Sequence, residues 1–478
     1  MSTEQDNLKI LLLTFNCGQV PQKSPVIRKA LLSTLVQETP KLQQQTDLPD
    51  LIFISLQELG PIYDCFLWGN ADAFLTPFID AVTHLTGINH ADFGHVATCS
   101  AGLVFGMLFC RVPSASIKIS NVRTSVVKFG YFETGLKGAA SIRVDVSSGK
   151  SSTELTFVAA HLTANEGYRE IRDHNFKDIA RKAAFFPENN ISLRKEDGTD
   201  REFLYKDGSQ VFILGDLNYR VAVSPNAQPS QPAATGVPRA ASAVPDQGQS
   251  TGNNLPIQKW VGRQHSFVEE WFGNDELSIS RKHAGTAFFG YNEADVTFPP
   301  TYKFNSKREY TPRRVPSWCD RVLYFDMFEG GSGVKIDKYA SLPVVEESDH
   351  IPVYAMGTVP IKKPGGLSEE LVTILHKNDI AASTVTTSQP FLSRGVSLDR
   401  QVSPFAIRAR QVNLQNRHII ACTGRIKTME KLIGGLMYLV LTPTGNGILL
   451  AAIVGLVSAY VSLRTSVFGV NSYRTGHT

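Results

Sequence analysis

The sequence predicts an α/β domain over about 5–360, followed by a polar linker and an apolar C-terminal segment. Short apolar runs such as Leu8–Phe15 and Leu51–Leu56 are typical of strands that are buried on both faces. They alternate with stretches of helical periodicity, the first of which lies at 25–44. The chain has 478 residues, which is enough for one large domain of this class and additional segments.

The other elements follow in chain order. A second helix is predicted at 71–86, and Tyr168–Phe186 is predicted to form an amphipathic helix that ends before Pro187. Strands are predicted near 93–98, 102–111, 116–120, 124–128, 139–146 and 155–160, and at Val211–Leu214, Arg321–Phe325 and Ile351–Met356. Gly215 follows one of these strands and predicts a tight turn or the close approach of a ligand.

Two polar stretches interrupt this pattern. Residues 222–256 are rich in Pro, Ala, Ser, Gln and Gly, which predicts a disordered insertion within the domain. Order is expected to resume near Ile257, with a helical region that contains Trp260 and Trp271. Residues 361–430 are polar, rich in Ser and Thr and basic at their end, and they predict a flexible linker.

Composition excludes several classes of function. The net charge of +4 is too small to imply nucleic-acid binding by itself. The six cysteines are scattered without a CxxC pair, so neither a zinc site nor a disulfide framework is indicated, and a reducing compartment is expected. The N-terminus lacks the basic flank and long apolar core of a secretory signal.

Polar side chains stand at the ends of the apolar strands. They are Asn16, Glu58, His161, Asp216, Asn218, Asp349 and His350, together with Asp320 just before another strand. Each one alone has an ordinary structural explanation, such as a turn residue or a buried histidine. Because sites in α/β sheets form beyond the strand ends, the recurrence of such residues favours a shared functional site.

These residue types fit phosphoryl transfer. A carboxylate such as Glu58 is a hard oxygen ligand for Mg²⁺, and an Asp can take a proton from water. A His that is oriented by a second Asp can polarise a phosphoryl oxygen, and an Asn amide can hold a transition-state oxygen. Cysteine-dependent phosphatases need an Arg six residues after the nucleophile, and none of the six cysteines has one. A Walker phosphate-binding loop is also absent from the sequence.

Four motifs, in this order, resemble those of the inositol-polyphosphate 5-phosphatases. They are GDLNYR (215–220), FPPTYKF (298–304), RVPSWCDRVLY (314–324) and SDHIPV (348–353). Leu136-Lys137-Gly138 and His161-Leu162 also match family positions. The resemblance covers about 8–358, and the pairing of GDLNYR with WCDR is highly specific.

This family belongs to the endonuclease/exonuclease/phosphatase superfamily. The resemblance therefore implies a four-layer α/β sandwich, an α+β arrangement of two packed, mostly antiparallel sheets that are flanked by helices. It also implies Mg²⁺ as the cofactor and attack of water on phosphorus without a covalent intermediate. Glu58 would be the principal Mg²⁺ ligand, with Asn16 beside it and Asp349 close to the metal.

The resemblance also implies the catalytic roles. Asp216 would position and deprotonate the attacking water. Asn218 and His161 would stabilise phosphoryl oxygens, while His350, oriented by Asp320, would contact the phosphate.

Three further residues match family positions that contact the phosphate next to the scissile one. They are Tyr302, Lys303 and Arg314, which imply a 4,5-bisphosphorylated inositol ring as substrate. The expected activity is hydrolysis of the 5-phosphate of phosphatidylinositol 4,5-bisphosphate, a phosphoinositide lipid. Family members often carry a second His where Asn165 stands and another Lys where Pro312 stands.

Two other functions remain as alternatives. The same fold serves nucleases and sphingomyelinases, but the PPTYKF and WCDR signatures argue against them, and the sequence shows no basic-aromatic groove for nucleic acid. A catalytically silent lipid-binding tether is the other alternative, which the retained Glu58, Asp216, Asn218, Asp320 and His350 disfavour. No protein partner is indicated.

The C-terminal segment predicts attachment to a membrane. Residues 431–464 are largely apolar, and Gly447–Leu463 is a run of 17 residues without a charge, at the short end of the spanning range of ~17–25 residues. A basic flank precedes it, which favours a cytosolic catalytic domain, and the short span suits the endoplasmic reticulum. A hairpin folded at Pro443–Gly447 and a buried or interfacial helix are alternatives, and residues 465–478 form a short tail.

Overall fold

The computed structural model describes the segments that carry the strands and helices of the domain, together with two C-terminal helices. The described residues are 7–36, 48–68, 71–86, 92–112, 117–129, 135–185, 202–205, 209–222, 272–311, 314–325, 333–343, 345, 347–362 and 420–472. The sequence predictions for 223–271, which include Trp260, Trp271 and nearly all of the insertion, and those for 363–419 of the linker lie outside these residues.

The strands of the domain are numbered β1 to β13. They are Asn7–Asn16, Leu51–Gln57, Phe93–Ala101, Val104–Arg111, Ile117–Lys128, Gly138–Ser148, Ser151–His161, Ala184–Phe185, Glu202–Phe203, Ser209–Asp216, Asp320–Phe325, Lys335–Ser341 and Val353–Pro360. Three longer helices flank them: Ser24–Val36 (α1), Ala71–Thr83 (α2) and Arg169–Lys182 (α3). A single helical turn at Glu276–Ser278 continues into a π-helical turn at Ile279–Ala284. Two more helices follow at the C-terminus: Ile420–Leu441 (α4) and Pro443–Ser472 (α5).

The strands form two mixed sheets, with β8 and β9 as a separate small pair. The first sheet has the order β12-β13-β1-β2-β4-β3, and the second has the order β11-β10-β7-β6-β5. In each of these two sheets one pair of neighbours is parallel, namely β1 with β2 and β10 with β7, while the other pairs are antiparallel. The parallel pairs place two strand ends side by side near the middle of each sheet.

Apolar side chains hold these layers together in three clusters. The first includes Phe53, Phe157 and Phe212 and fills the space between the two sheets, where the three rings stack in a row. The second packs α3 against the β11-β10-β7-β6-β5 sheet, and the third packs α1 and α2 against the other sheet. Burial of these faces stabilises the layers because it removes apolar area from water at roughly 25 cal/mol per Å². The resulting α+β arrangement has helices outside both sheets.

Most of the predicted strands and helices are present, and the differences are informative. The strands predicted at 116–120 and 124–128 are one strand, β5, whose register shifts between Ser120 and Arg123. Asn121 has a φ of 48° there, and this bulge falls in the gap between the two predicted strands. Strand β12 was not predicted, because its sequence contains no continuous apolar run and most of its side chains are half-exposed. The short strands β8 and β9 were not predicted either, and β8 lies in the stretch 168–186 that the sequence assigned to a helix, which ends at Lys182.

Gly215 lies within β10 and not in the predicted turn. A Cβ on this residue would lie 1.8 Å from the carbonyl oxygen of Ala160 on the neighbouring β7. The close approach is therefore that of a parallel strand, and glycine is required because no side chain fits there.

The C-terminal helices meet at a sharp angle. Lys431–Leu441 of α4 and Pro443–Ala459 of α5 form a pair that is bent by 91°. In the described part of the chain no single helix meets the length and hydropathy needed to cross a bilayer, whereas this bent pair meets them by length and composition alone. The ring of Tyr438 on α4 lies 6.0 Å from that of Tyr63, next to a π-helical turn at Asp64–Trp68.

Candidate active site

The two parallel strand pairs bring the predicted polar residues together. In the first sheet Asn16 pairs with Gln57, so that Glu58 follows directly. In the second sheet Asp216 pairs with His161. The sheets pack with these ends facing each other, since the Nδ2 of Asn16 donates to the Oδ2 of Asp216 over 2.9 Å.

Asp216 lies at the centre of this group and is buried. Its Oδ2 lies 3.1 Å from Nε2 of His161, and its Oδ1 accepts a hydrogen bond of 3.0 Å from the backbone N–H of Asn218. Burial alone would raise the pKa of Asp216, but His350, His161 and Lys137 outweigh it and hold this pKa well below its usual range. Asp216 is therefore ionised at neutral pH.

His350 is oriented by Asp320, as the resemblance implied. Its Nδ1 donates to Oδ2 of Asp320 over 2.8 Å, and the hydroxyl of Thr301 donates to the same oxygen over 2.7 Å. Burial lowers the pKa of His350, but the carboxylates of Asp320 and Asp216 outweigh it and raise this pKa to about 9. His350 is thus an imidazolium at neutral pH, with its Nε2 3.8 Å from Asp216.

Lys137, to which the sequence assigned no role, stands between Glu58 and His161. Its ammonium group contacts Nε2 of His161 and lies 3.5 Å from Oε1 of Glu58. Burial and the charge of Lys137 lower the pKa of His161, which is therefore neutral at pH 7. Glu58 has a φ of 48° and keeps its side chain 28% exposed, so its carboxylate is open to solvent at the end of β2.

The side-chain amide of Asn218 is hydrogen-bonded mainly to other residues of the protein. It has a φ of 58°, which asparagine tolerates better than most residues. Its Nδ2 donates to the carbonyl of Leu162 over 3.1 Å, and its Oδ1 accepts from Arg220 over 2.6 Å. One amide hydrogen of Asn218 thus remains for the phosphoryl oxygen that the resemblance implied.

Asp349 lies beside the end of β1. The hydroxyl of the preceding Ser348 donates to the carbonyl of Asn16 over 2.6 Å, and a Cβ on Gly18 would lie 3.0 Å from Oδ1 of Asp349. The other carboxylate oxygen of Asp349 pairs with the ammonium of Lys303 at 2.8 Å. Burial lowers the pKa of Lys303, but Asp349 outweighs it and the pKa is raised.

The three residues predicted to bind substrate line one side of the same group. The ring of Tyr302 lies 4.5 Å from that of His350, and the guanidinium of Arg220 covers Tyr302 at 4.4 Å. Arg314 pairs with Glu166. All eleven predicted site residues therefore fall at the linked ends of the two sheets or on the loops beside them.

Sequence reasoning missed four residues of this region. Lys137, Glu166, Arg220 and Thr301 all contact a predicted site residue. Lys137 belonged to a matching motif, so that motif was a signal that could have found it. Arg220 and Thr301 likewise lie in the matching motifs GDLNYR and FPPTYKF. Glu166 alone lacks such a signal, because its contact depends on how loops fold over the sheet ends.

The site residues also form a candidate metal centre. Among the described residues, ligand atoms of Asp216, Asp320 and His350 lie within 4.8 Å of one another and could hold a metal ion. In this cluster, however, Nδ1 of His350 already donates to Asp320 and the ring is protonated, which weakens it as a ligand.

Two packed mixed sheets with acids and histidines at the ends of their central parallel strands define the endonuclease/exonuclease/phosphatase class of folds. The family described as Endonuclease/Exonuclease/phosphatase family 2 matches residues 13–235 and 249–356. The chain belongs to this family.

Curated relatives carry the names that the sequence motifs suggested. The Type I inositol polyphosphate 5-phosphatase 4 of Arabidopsis thaliana is 29% identical over 256 residues, which are 51% of this chain and 38% of the relative. The phosphatidylinositol 3,4,5-trisphosphate 5-phosphatase 2B of Danio rerio is 30% identical over 280 residues, which are 55% of this chain and 19% of the relative. The chain thus matches less than half of the length of each relative.

A solved structure shares the fold. It is the inositol polyphosphate 5-phosphatase domain of synaptojanin, in complex with inositol (1,4)-bisphosphate and a calcium ion. It superposes with a TM-score of 0.51 at 22% identity and covers 78% of this chain and 90% of the synaptojanin chain.

The oxygen-rich end of the first sheet fits Mg²⁺, the cofactor that the family resemblance implies. Glu58 and Asp349 offer carboxylates with side chains 28% and 29% exposed, and both face lysine ammonium groups, which shows that this edge attracts cations. Hard oxygen donors favour Mg²⁺ or Ca²⁺ over Zn²⁺. The nearby thiol of Cys17 is a poor ligand, because burial and the charge of Glu58 raise its pKa.

Proposed function

We propose that this protein is a Mg²⁺-dependent phosphoinositide 5-phosphatase that hydrolyses the 5-phosphate of phosphatidylinositol 4,5-bisphosphate. Its membership of the family and the names of its relatives support phosphatase activity on inositol phosphates. The synaptojanin domain, which has the same fold, binds an inositol bisphosphate and a divalent cation.

One observation carries the proposal. The carboxylate of Asp216 accepts a hydrogen bond from Asn16 of the first sheet and contacts His161 of the second sheet. It also lies beside the Asp320–His350 pair. This arrangement places an ionised carboxylate, a neutral imidazole and an imidazolium around one point. A buried structural ion pair consists of one positive and one negative group. The three groups around Asp216 instead provide a proton acceptor and hydrogen-bond donors, which phosphoryl transfer to water requires.

The residues act as follows in the proposed reaction. Asp216 orients the attacking water and accepts its proton as the water oxygen bonds to phosphorus. The bond to the inositol oxygen breaks, and that oxygen keeps the bonding electron pair and takes up a proton from solvent water. Because the pKa of Asp216 is low, it is a weak base, so orientation contributes more to the rate than proton abstraction does. His350 donates a hydrogen bond to a phosphoryl oxygen, while His161 and Asn218 stabilise the others.

Glu58, Asn16 and Asp349 would hold the Mg²⁺. When bound, the ion supplies positive charge that neutralises the phosphoryl group in the transition state. Of the three, Glu58 would be the principal ligand. Oδ1 of Asn16 already accepts the backbone N–H of Gly18 at 3.0 Å, and Asp349 lies 2.8 Å from the ammonium of Lys303, closer than the 3.5 Å between Glu58 and Lys137.

Tyr302, Lys303 and Arg314 are proposed to select a ring that carries a second phosphate. They offer a phenol, an ammonium group and a guanidinium beside His350, and Arg and Lys are the side chains suited to phosphate. The position next to the scissile phosphate would be the 4-phosphate of the lipid.

The C-terminal helices are proposed to hold the enzyme at the membrane of the endoplasmic reticulum, with the catalytic domain in the cytosol. Eleven large apolar side chains between Leu432 and Val457 are exposed to between 39% and 71%. Patches of this kind mark membrane or protein contacts. A membrane surface fits because the proposed substrate is itself a lipid.

The direct test is phosphate release from vesicles of phosphatidylinositol 4,5-bisphosphate. We expect release in Mg²⁺ and its loss in EDTA, with recovery when Mg²⁺ is restored. Equal and negligible release of phosphate under both conditions would contradict the proposal. Cleavage of abasic DNA that is faster than hydrolysis of the inositol lipid would favour the nuclease alternative.

A further inference from the structure

Three cations around the site are each paired with an acid. Lys137 lies near Glu58, Lys303 pairs with Asp349, and Arg314 pairs with Glu166. Glu58 and Asp349 have a role as proposed metal ligands, whereas Glu166 has none in the proposed chemistry. Its guanidinium partner, Arg314, is one of the groups proposed to bind the phosphate next to the scissile one.

The Glu166–Arg314 pair is open to a ligand. The two side chains are 36% and 37% exposed, so their attraction is screened by solvent and can be exchanged for another anion. Nη2 of Arg314 also lies 3.3 Å from Oδ1 of Asn165, so two neighbouring residues hold the guanidinium from the same side.

The buried side chain of Arg172 fixes the backbone of the segment that carries Glu166. Nη1 of the buried Arg172 donates to the carbonyl of Asn165 over 2.8 Å and to that of Thr163 over 3.2 Å. Arg172 is in turn fixed by Glu276, whose Oε2 accepts from its Nη2 over 2.5 Å. Glu166 is therefore held beside Arg314 by a buried network, and the pair is more than a chance contact of two surface side chains.

We propose that Glu166 is a specificity-determining residue that competes with the 4-phosphate of the ligand for Arg314. This inference rests on the proposed function. A 4-phosphate must displace the Glu166 carboxylate to reach the guanidinium, and it gains charge-assisted hydrogen bonds in return. The product of 5-phosphate hydrolysis still carries the 4-phosphate, so the returning carboxylate weakens product binding and promotes its release, a step that limits many enzymes.

The test is binding of inositol 1,4-bisphosphate to the full-length protein in detergent, measured by calorimetry for the wild type and Glu166→Gln. Loss of an exposed competing carboxylate should tighten binding by about two- to fivefold. Inositol 1-phosphate, which lacks the 4-phosphate, should bind both proteins equally. Glu170→Gln removes the same charge from the exposed first turn of α3 and should leave both affinities unchanged.

A double variant completes the design. In an Arg314→Gln background, Glu166→Gln should have no further effect on inositol 1,4-bisphosphate, because the two residues act on one guanidinium. Unchanged or weaker binding by Glu166→Gln alone would overturn the inference, and weaker binding would show that Glu166 orients Arg314 instead. Absence of binding to either protein would overturn it too. Failure of the proposed function is a separate result, namely no Mg²⁺-dependent phosphate release by the wild type.

Discussion

Buried charges in this protein serve two different purposes at the scale of single residues. Asp216 stands among groups of the candidate site, whereas Glu293 is enclosed by structural partners. Glu293 accepts from Arg321 at 2.6 and 2.8 Å, pairs with Arg281 at 3.2 Å and accepts from the hydroxyl of Tyr339 at 3.0 Å. Burial raises the pKa of Glu293, but these partners outweigh it and the pKa is lowered. Such an enclosed pair contributes to stability and not to catalysis.

Glu293→Gln should destabilise the fold by about 3–5 kcal/mol at pH 7, because it leaves buried guanidinium groups without their full countercharge. The folded pKa lies below the value of 4.5 for an unperturbed Glu. The carboxylate therefore makes its full contribution to the free energy of unfolding above pH 4.5 and loses it as pH falls toward the folded pKa. The difference in free energy of unfolding between variant and wild type should narrow below pH 4.5. Urea unfolding at pH 7 and at pH 4 measures both effects.

A matched control removes a charge from an exposed pair. Asp337 pairs with Lys335 at 2.8 Å, but their side chains are 44% and 76% exposed. Asp337→Asn should leave the unfolding midpoint unchanged at both pH values. A midpoint for Glu293→Gln equal to that of this control would refute the stabilising role of the buried carboxylate.

The sequence identified the residues at strand ends but not their partners. Asp216, His161 and His350 stand out because each follows or precedes an apolar run. The contact of Lys137 with His161 depends on the pairing of Gly138 with His161 between β6 and β7, and side-chain periodicity does not encode this register. The anchoring of Glu166 through Arg172 depends likewise on the docking of α3 against distant loops.

At the scale of secondary-structure elements, the parallel pairs β1–β2 and β10–β7 position the site. The sequence predicted the bounds of β1, β2 and β10 within two residues, but β7 begins at Ser151, earlier than the predicted 155. Nothing in the sequence indicated which neighbours are parallel. Gly215 shows why strand pairing could not be predicted from the sequence, because a glycine at a strand end predicts a turn as readily as a close contact between strands. The contact with Ala160 belongs to tertiary structure, which local propensity cannot show.

Gly215→Ala should separate β10 from β7, since its methyl group would meet the carbonyl oxygen of Ala160 at 1.8 Å. Overpacking of this kind costs roughly 1–3 kcal/mol or more, and it should also move Asp216 away from His161. Thermal unfolding and phosphate release together measure the effect. Gly447→Ala on α5 is the control, because a Cβ there meets nothing within 4 Å. Unaltered stability and turnover in Gly215→Ala would contradict the account of β10.

At the scale of the whole molecule, the domain and the C-terminal helices are expected to act together on a lipid surface. The tail was predicted from hydropathy as a spanning segment or a hairpin, while the structure has two helices bent by 91° at Thr442. Helix α4 already begins at Ile420, inside the stretch that the sequence assigned to the linker. Hydropathy detects apolar segments but does not register the start of a helix in a polar, basic stretch.

Membrane attachment is tested by carbonate extraction of the full-length protein. We expect it to remain with the membranes because the exposed apolar side chains of α4 and α5 are buried in lipid. Protease treatment of an epitope placed after Thr478 then distinguishes the geometries, since a protected tag indicates a span and a digested tag a hairpin. Release of the intact protein into the soluble fraction would refute attachment.

The measurement that tests the central claim most directly is the turnover of phosphatidylinositol 4,5-bisphosphate in Mg²⁺ by the wild type and by Asp216→Asn. The amide has one acceptor oxygen where the carboxylate has two, so it orients the attacking water poorly, and it cannot accept the proton. We therefore expect kcat to fall by about 10²–10⁴. Binding of inositol 1,4-bisphosphate and thermal stability serve as controls for folding. A variant that stays folded and turns over the lipid as fast as the wild type would contradict the claim that Asp216 activates the water.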